Sequence, residues 1–334
     1  MSDFRVRRCL MAVLVLIAGA TLAPIGSALA AAKKDDATAD KIVISGASGQ
    51  LAGEAISELL ERGVPITNLI LVTRTPEKLS SFAERGAQVR SGDFSKPQSL
   101  PAAFAGGRQL LLISTSGAGG RLEQHTNAIS AARKSGIRHI VYTSFVNATD
   151  ENPATITRDH RLTEEALKSS GVPYTILRNQ LYSDGLVARG AEAVASGLII
   201  SNSGPGKWAP VAREDCAAAA AAVLATPGHE GKTYDITGPD LISERDFAKM
   251  LTQVTGKSVR VVDIDDAAFV DRAVNNGTPE AFAKMGASFG TATRQNALNI
   301  KSEALQILIR RPPQSVRELL AQNKAQLLAP SASR

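Results

Sequence analysis

From Lys41 onward, short apolar runs alternate with amphipathic stretches, and the alternation predicts the elements in order. Ile42 to Ser45 is a β-branched run that reads as a strand, and Gly46 and Gly49 follow it. Gln50 to Arg62 carries Leu51, Ala55, Leu59 and Leu60 on one helical face and stops at Gly63. Asn68 to Thr73 is the second strand, Pro76 to Arg85 a helix, and Ala87 to Arg90 a third strand with Gly92-Asp93 as its turn. Ser99 to Phe104 predicts a short helix. Gln109 to Ser114, QLLLIS, is apolar without alternation, as in a strand buried on both faces of a parallel sheet. Arg121 to Ser135 is helical with Gly136 after it, His139 to Thr143 is the fifth strand, Thr157 to Ser170 a helix, and Tyr174 to Leu177 the sixth strand. Six strands separated by helices predict an α/β fold with a doubly wound parallel sheet. Ligands of such sheets bind beyond the carboxyl ends of the strands.

After Arg178 the rhythm changes. Asp215 to Leu224 is an alanine-rich helix, Thr233 to Ile236 and Val259 to Ile264 are strands, Ser243 with Asp246 forms a capping box, and Ser315 caps a last helix through Leu320. The expected organisation is a Rossmann core over 41–185 and a smaller α/β lobe over 186–325 that closes the cleft. A short tail, 326–334, follows. No internal repeat is present.

The stretch KIVISGASGQLAG, Lys41 to Gly53, organises the rest. Gly46 lets the chain turn tightly out of a strand, and Gly49 has no side chain to keep a pyrophosphate away. The first turn of the next helix offers unpaired N–H groups and the positive end of its dipole. The spacing is GxxGxxx, with Ala52 at the third glycine position. Gly46, Ala47, Ser48, Gly49, Gln50 and Leu51 are therefore the candidate phosphate-binding residues. At the end of the second strand an NAD site would carry an acidic residue for the ribose 2′-hydroxyl; this chain has Arg74, with Lys78 following. Cations suit the 2′-phosphate of NADP, so NADP(H) is the expected cofactor. The alternative is an ordinary surface arginine closing a strand. Ser114, Thr115 and Ser116 end the buried strand with small hydroxyl residues, which either line a cofactor or form a plain polar loop.

Composition is that of a globular protein, with 44% apolar residues. The formal net charge of +6 falls to +4 beyond Ala30, because Asp3, Arg5, Arg7 and Arg8 contribute +2. That charge is small and dispersed, which argues against nucleic acid as a partner. Residues 1–30 read as an export leader: Arg5, Arg7 and Arg8, then apolar Leu10 to Ala20, Pro24, and Ala28-Leu29-Ala30 at a cleavage position. Arg7-Arg8 resembles a twin-arginine leader, the kind that carries folded cargo. The expectation is an exported, periplasmic protein without stable membrane insertion after cleavage; the alternative is an uncleaved N-terminal anchor. Residues 31–40 are a small, charged linker. Beyond the leader only Cys216 remains, which excludes a disulfide framework and a cysteine metal cluster.

GASGQLAG, VTRTPEKL, GDFSKPQSL, LLLISTS, GIRHIVYTS, RLTEEALKSSGVPYTILRN and GKTYDITG stand in the order seen in the NmrA-like atypical short-chain dehydrogenases. The chain most resembles their NADPH-dependent quinone oxidoreductase branch, from about Lys41 to about Leu320. The resemblance implies that Gly46 to Leu51 hold the pyrophosphate, Arg74 the 2′-phosphate, and Ser114 to Ser116 the ribose and nicotinamide side. It further implies that Asn179, Gln180, Leu181, Tyr182, Ser183 and Asp184 form a loop shared by cofactor and substrate. Where family members often carry an aromatic residue this chain has Leu181, which removes one stacking face for a flat acceptor.

Typical members of the wider superfamily use a Tyr and a Lys four residues apart, the Lys lowering the phenol pKa. This chain has no YxxxK; Ile156 and His160 stand at those positions. Quinone reduction asks for less, since the product oxyanion is a stabilised phenolate that water protonates, and positioning supplies most of the rest. His160 and Tyr182 are the candidate donors to the acceptor oxygen. Against that stand two plainer roles: His160 as a helix-surface partner of Glu164, and Tyr182 as a packed loop aromatic. No HxxxH metal pair and no GxSxG elbow is present. Two functions fit the sequence, an oxidoreductase acting on a quinone or similar small electrophile, and a non-catalytic NADP sensor of the NmrA-like type. The pattern is silent on oligomeric state.

Overall fold

A computed structural model describes residues 40–115 and 119–329. The expected leader, all of the linker but Asp40, Ser116, and the end of the tail lie outside the described residues. Seven strands, β1 (Ile42–Ser45), β2 (Leu69–Thr73), β3 (Gln88–Ser91), β4 (Gln109–Leu112), β5 (His139–Phe145), β6 (Tyr174–Asn179) and β8 (Thr233–Ile236), form one sheet in the order β3-β2-β1-β4-β5-β6-β8. Every pairing is parallel. Two further strands, β7 (Leu198–Ser201) and β9 (Arg260–Asp263), pair in parallel to make a separate small sheet.

Side chains alternate across the main sheet, as the period of two requires. Ile42, Ile44, Leu69, Leu71 and Leu111 face one helical layer, built from Gln50–Glu61, Arg213–Ala225 and Ala304–Ile309. Val43, Ile70, Val72, Leu110, Ile140 and Tyr142 face the other, which includes Leu100–Phe104 and Arg121–Lys134. Burial on both faces is why these strands carry near-continuous apolar runs. The chain steps outward from β1 to β3 and returns through β4, so the loops after β1 and β4 flank the crevice where strand order reverses.

The expected lobe boundary is corrected at two elements. Asp215–Leu224 and Thr233–Ile236, assigned from sequence to the smaller lobe, belong to the main sheet and its covering layer. The helix Arg213–Ala225 lies against Gln50–Glu61, and every residue from Asp215 to Leu224 is buried. A helix without a polar face has to be covered all round, and here alanines let it approach closely. Strand β8 pairs with β6, Ile176 against Thr233 through Asn179 against Ile236. Two strands also run past their expected ends: β5 to Phe145 and β6 to Asn179, held by the Phe145–Asn179 register.

The smaller lobe holds β7, β9 and the helices Gly185–Ser196, Glu244–Thr255, Asp266–Asn275 and Glu280–Arg294 around Trp208, Phe247, Leu251 and Leu298. Both capping boxes form, at Ser243 with Asp246 and at Ser315 with Glu318. Among the described residues, no helix is long and apolar enough to cross a membrane.

Candidate active site

The crevice begins where β1 ends. The Ser45 hydroxyl donates to the Leu111 carbonyl at 2.8 Å and accepts the Ile113 N–H at 3.0 Å, which ties the ends of β1 and β4 together. Gly46 then takes φ +60°, a left-handed conformation suited to glycine. Gly49 donates its N–H to the Gly46 carbonyl at 2.8 Å, and a Cβ on Gly49 would meet that carbonyl oxygen at 3.2 Å. The helix Gln50–Glu61 starts with no side chain capping it and no acidic residue in its first turn. Its first N–H groups thus remain available to an anion.

Three cavities adjoin along this line. The first, about 340 Å³, runs from the glycine turn past Ser48 and Thr73 to Arg74. The second, about 400 Å³, shares Gly46, Gly49, Ile113, Ser114 and Thr115 with the first and reaches His160, Asn179 and Tyr182. The third, about 350 Å³, shares Leu181 and Tyr182 with the second and opens between Trp208, Phe269 and Phe289 in the smaller lobe.

Most of the expected residues come together here. Gly46, Ser48, Gly49, Gln50, Leu51, Arg74, Ser114, Thr115, Asn179, Gln180, Leu181 and Tyr182 line the first two cavities. Ala47 does not; it is buried, and its N–H donates to the Val72 carbonyl. Lys78 sits exposed on the turn Pro76–Leu79, away from the lining. Ser183 is buried with its N–H on the Val211 carbonyl, and Asp184 pairs with Arg213 at 3.1 Å, so both support the loop from behind.

His160 is not a surface partner of Glu164. Both are buried, at 4% and 2% exposure. Glu164 instead accepts from the Ser144 hydroxyl at 2.7 Å and from Arg178 at 2.9 and 2.6 Å. His160 Nδ1 lies 2.8 Å from the Tyr142 hydroxyl. Burial, with Arg121 and His125 nearby, holds the His160 pKa well below the usual value, and burial raises that of Tyr142. Both are neutral at pH 7. Tyr182 is not fully packed: the residue is 38% exposed, while its hydroxyl end accepts from Asn179 at 3.4 Å. Burial of that end raises the phenol pKa, with Cys216 adding to the effect.

Arg121 and Arg213 were not legible as site residues, yet both line the second cavity. Arg121 is buried, its Nε donating to the Thr115 carbonyl at 2.9 Å. Arg213 opens the alanine-rich helix, and a lone cation before so apolar a segment was the available signal. Among the described residues no group of three or more His, Cys, Asp or Glu gathers.

The site fits a dinucleotide. The glycine turn leaves the backbone bare where a Cβ would crowd it, and Asn179 Oδ1 is buried in the lining with no hydrogen-bond partner, an acceptor waiting for a donor. A parallel sheet with such a turn at its switch point, and a cation at the end of β2, defines a protein that binds a nicotinamide dinucleotide.

The chain belongs to the NAD(P)H-binding family, whose model matches residues 46–227. It is 36% identical to quinone oxidoreductase 2 of Escherichia coli K12, over 83% of this chain and 96% of that protein. The solved structure of the NADPH-dependent quinone oxidoreductase of E. coli complexed with NADPH superposes with a TM-score of 0.81, covering 84% of this chain and 99% of that one. The triphenylmethane reductase of Citrobacter sp. complexed with NADP(H) gives 0.80 at 36% identity, over 86% of this chain and 100% of that one. Within the family the chain is an NmrA-like atypical short-chain dehydrogenase, an oxidoreductase whose cofactor is NADP(H).

Proposed function

We propose that the protein reduces a quinone or a similar flat electrophile where the second and third cavities meet. The observation that carries this reading is the shared wall of Leu181 and Tyr182, which joins the dinucleotide crevice to a chamber walled by Trp208, Phe269 and Phe289. Bound NADPH supplies the hydride. The glycine turn and the start of the helix Gln50–Glu61 take the pyrophosphate, and Arg74 takes the 2′-phosphate. Asn179, Ser114 and Thr115 hold the nicotinamide end.

The aromatic walls orient a flat acceptor by stacking and exclude water around it. They replace the face that Leu181 leaves aliphatic. His160 and Tyr182 offer hydrogen bonds to the acceptor oxygen as charge develops there. Neither needs to lose a proton, because a phenolate product takes one from water. Ile156 at the position of the usual Tyr argues against alcohol dehydrogenation, which demands a proton acceptor of that kind.

Stopped-flow absorbance of NADPH on the purified protein, with and without a simple benzoquinone, tests the reading. The expected result is oxidation faster than the protein-free control and slower in Tyr182→Phe and His160→Ala. Binding without oxidation across a panel of electrophiles would replace the enzyme by an NADP sensor.

Export to the periplasm, by the twin-arginine route, is part of the proposal. It is supported by the basic start, apolar stretch and small-residue cleavage position of residues 1–30.

A further inference from the structure

Behind the cavity wall lies a chain of neutral, buried polar groups that runs from the loop after β4 to His160. It starts at a backbone amide. Thr115 N–H donates to His125 Nε2 at 3.1 Å, so that nitrogen is an acceptor and bears no proton. A neutral imidazole then carries its proton on Nδ1, and His125 Nδ1 lies 3.0 Å from the Thr163 hydroxyl oxygen. Thr163 has its own proton engaged, donating to the Asp159 carbonyl at 2.7 Å, and so accepts from His125. Tyr142 is next. Its hydroxyl is 3.4 Å from the protonated His125 Nδ1 and 2.8 Å from His160 Nδ1. Thr163 also neighbours the Tyr142 hydroxyl, but it already accepts from His125; with a proton on His125 Nδ1 as well, the Tyr142 O–H takes the 2.8 Å contact and donates to His160. His160 Nδ1 is then the acceptor, its proton stays on Nε2, and Nε2 is the ring nitrogen left for the cavity that His160 lines.

We propose that Tyr142 and His125 are positioning residues that hold His160 as the Nε2–H tautomer, so that the imidazole presents a donor toward the acceptor oxygen. The inference rests on the reading that His160 meets the acceptor. The direction of the whole chain is set by one peptide N–H, that of Thr115, in the same loop that lines both the first and second cavities. No proton is transferred along it. His160 donates a hydrogen bond and keeps its proton, and the reduced acceptor is protonated by water. Such a network specifies an orientation because the proton of each donor is committed to one acceptor. A donor is the useful tautomer here: a lone pair on Nε2 would repel the oxyanion that the donor stabilises.

The test is a long-range 1H–15N spectrum of the imidazoles at neutral pH, on uniformly 15N-labelled full-length protein. Four histidines are present, and His160→Gln assigns the signal of interest. The expected spectrum shows His160 protonated on Nε2, with an Nδ1 resonance that moves in Tyr142→Phe as the hydrogen bond is lost. An Nδ1-protonated His160, or a spectrum that Tyr142→Phe leaves untouched, overturns the inference. Should Tyr142→Phe not fold, the wild-type tautomer still decides. Kinetics separate this proposal from the one beneath it. Tyr142→Phe is expected to lower kcat for benzoquinone on the order of tenfold, the worth of one hydrogen bond, with NADPH affinity unchanged. An Nε2–H tautomer found together with an unimpaired His160→Gln enzyme would uphold the lock on His160 and remove His160 from the acceptor.

Discussion

The Arg213 guanidinium lies over the ring of Tyr182, 5.6 Å from its centroid, while one of its nitrogens pairs with Asp184 at 3.1 Å and another sits 3.7 Å from Glu54. One cation therefore braces the wall between two cavities and two carboxylates. Burial raises the Glu54 pKa and Arg213 opposes that rise. Arg213→Leu would leave Asp184 and Glu54 without their partner and release the Tyr182 ring. The expected loss is roughly 1–3 kcal/mol of unfolding free energy, read by urea denaturation, with a weaker KM for the acceptor. Unchanged stability and unchanged KM would show that the contact braces nothing.

Stability is expected to fall on mild acidification. His125 has an ordinary value of 6.5, and burial with Arg121 beside it lowers that to about 3 in the folded protein. Between those two values the unfolded chain binds a proton that the folded chain refuses. Stability is thus full above pH 6.5 and is lost as pH drops toward 3, at roughly 1.4 kcal/mol per pH unit for each such histidine. His160 and His139 shift in the same direction. Melting temperatures from pH 8 to pH 5 check this, and a His125→Asn variant with the same pH slope as wild type would contradict it.

Arg74 is exposed at the far end of the first cavity, and among the described residues no carboxylate forms an ion pair with it. Arg74→Glu is expected to weaken NADPH binding by tenfold or more and to leave NADH binding nearly unchanged, because only NADPH carries the 2′-phosphate. Fluorescence titration with both dinucleotides decides it, and equal losses for the two would remove that role from Arg74.

Glu164 joins three elements, accepting from Ser144 on β5 and from Arg178 on β6 while its own helix, Thr157–Ser169, covers them. Glu164→Gln should cost about 3 kcal/mol, since it leaves a half-buried guanidinium facing a neutral amide. Adding Arg178→Met should restore part of that loss. A double-mutant cycle by chemical denaturation measures the coupling, and additive losses would mean that the pair is not coupled.

Export predicts a mature chain shortened near Ala30 in the periplasmic fraction. Fractionated cells that hold only the full-length chain in the cytoplasm would defeat that part of the proposal.

The core of the fold was legible because β1, β2 and β4 are buried on both faces and interrupted by glycines; an apolar run between turn residues has few other meanings. Strand β8 was visible as a strand but not as a member of the main sheet. Its four residues alternate, and only the topology gives it β6 as a neighbour. The helix Gly185–Ser196 escaped notice because Gly190 reads as a breaker; in the structure Leu251 and Leu327 crowd that position, and a Cβ there would lie 2.9 Å from each. At the site, the glycine turn announced itself by spacing along the chain. The partners of His160 did not, because Tyr142 lies on β5 and His125 on the helix Arg121–Lys134, and contact across elements leaves no local pattern.

That β8 comes from beyond residue 230 bears on how the molecule is made. A nascent chain that has reached the end of β6 holds six strands and a bare edge, where outward-facing backbone groups such as the Ile176 N–H, which donates to the Lys232 carbonyl in the finished sheet, stand open to any other strand. The alanine-rich cover of β1's neighbouring helix is likewise still unsynthesised. The dinucleotide-binding half therefore cannot finish before its successor is translated, and a gene cut after Asn179 would encode a sticky intermediate rather than a minimal cofactor-binding module.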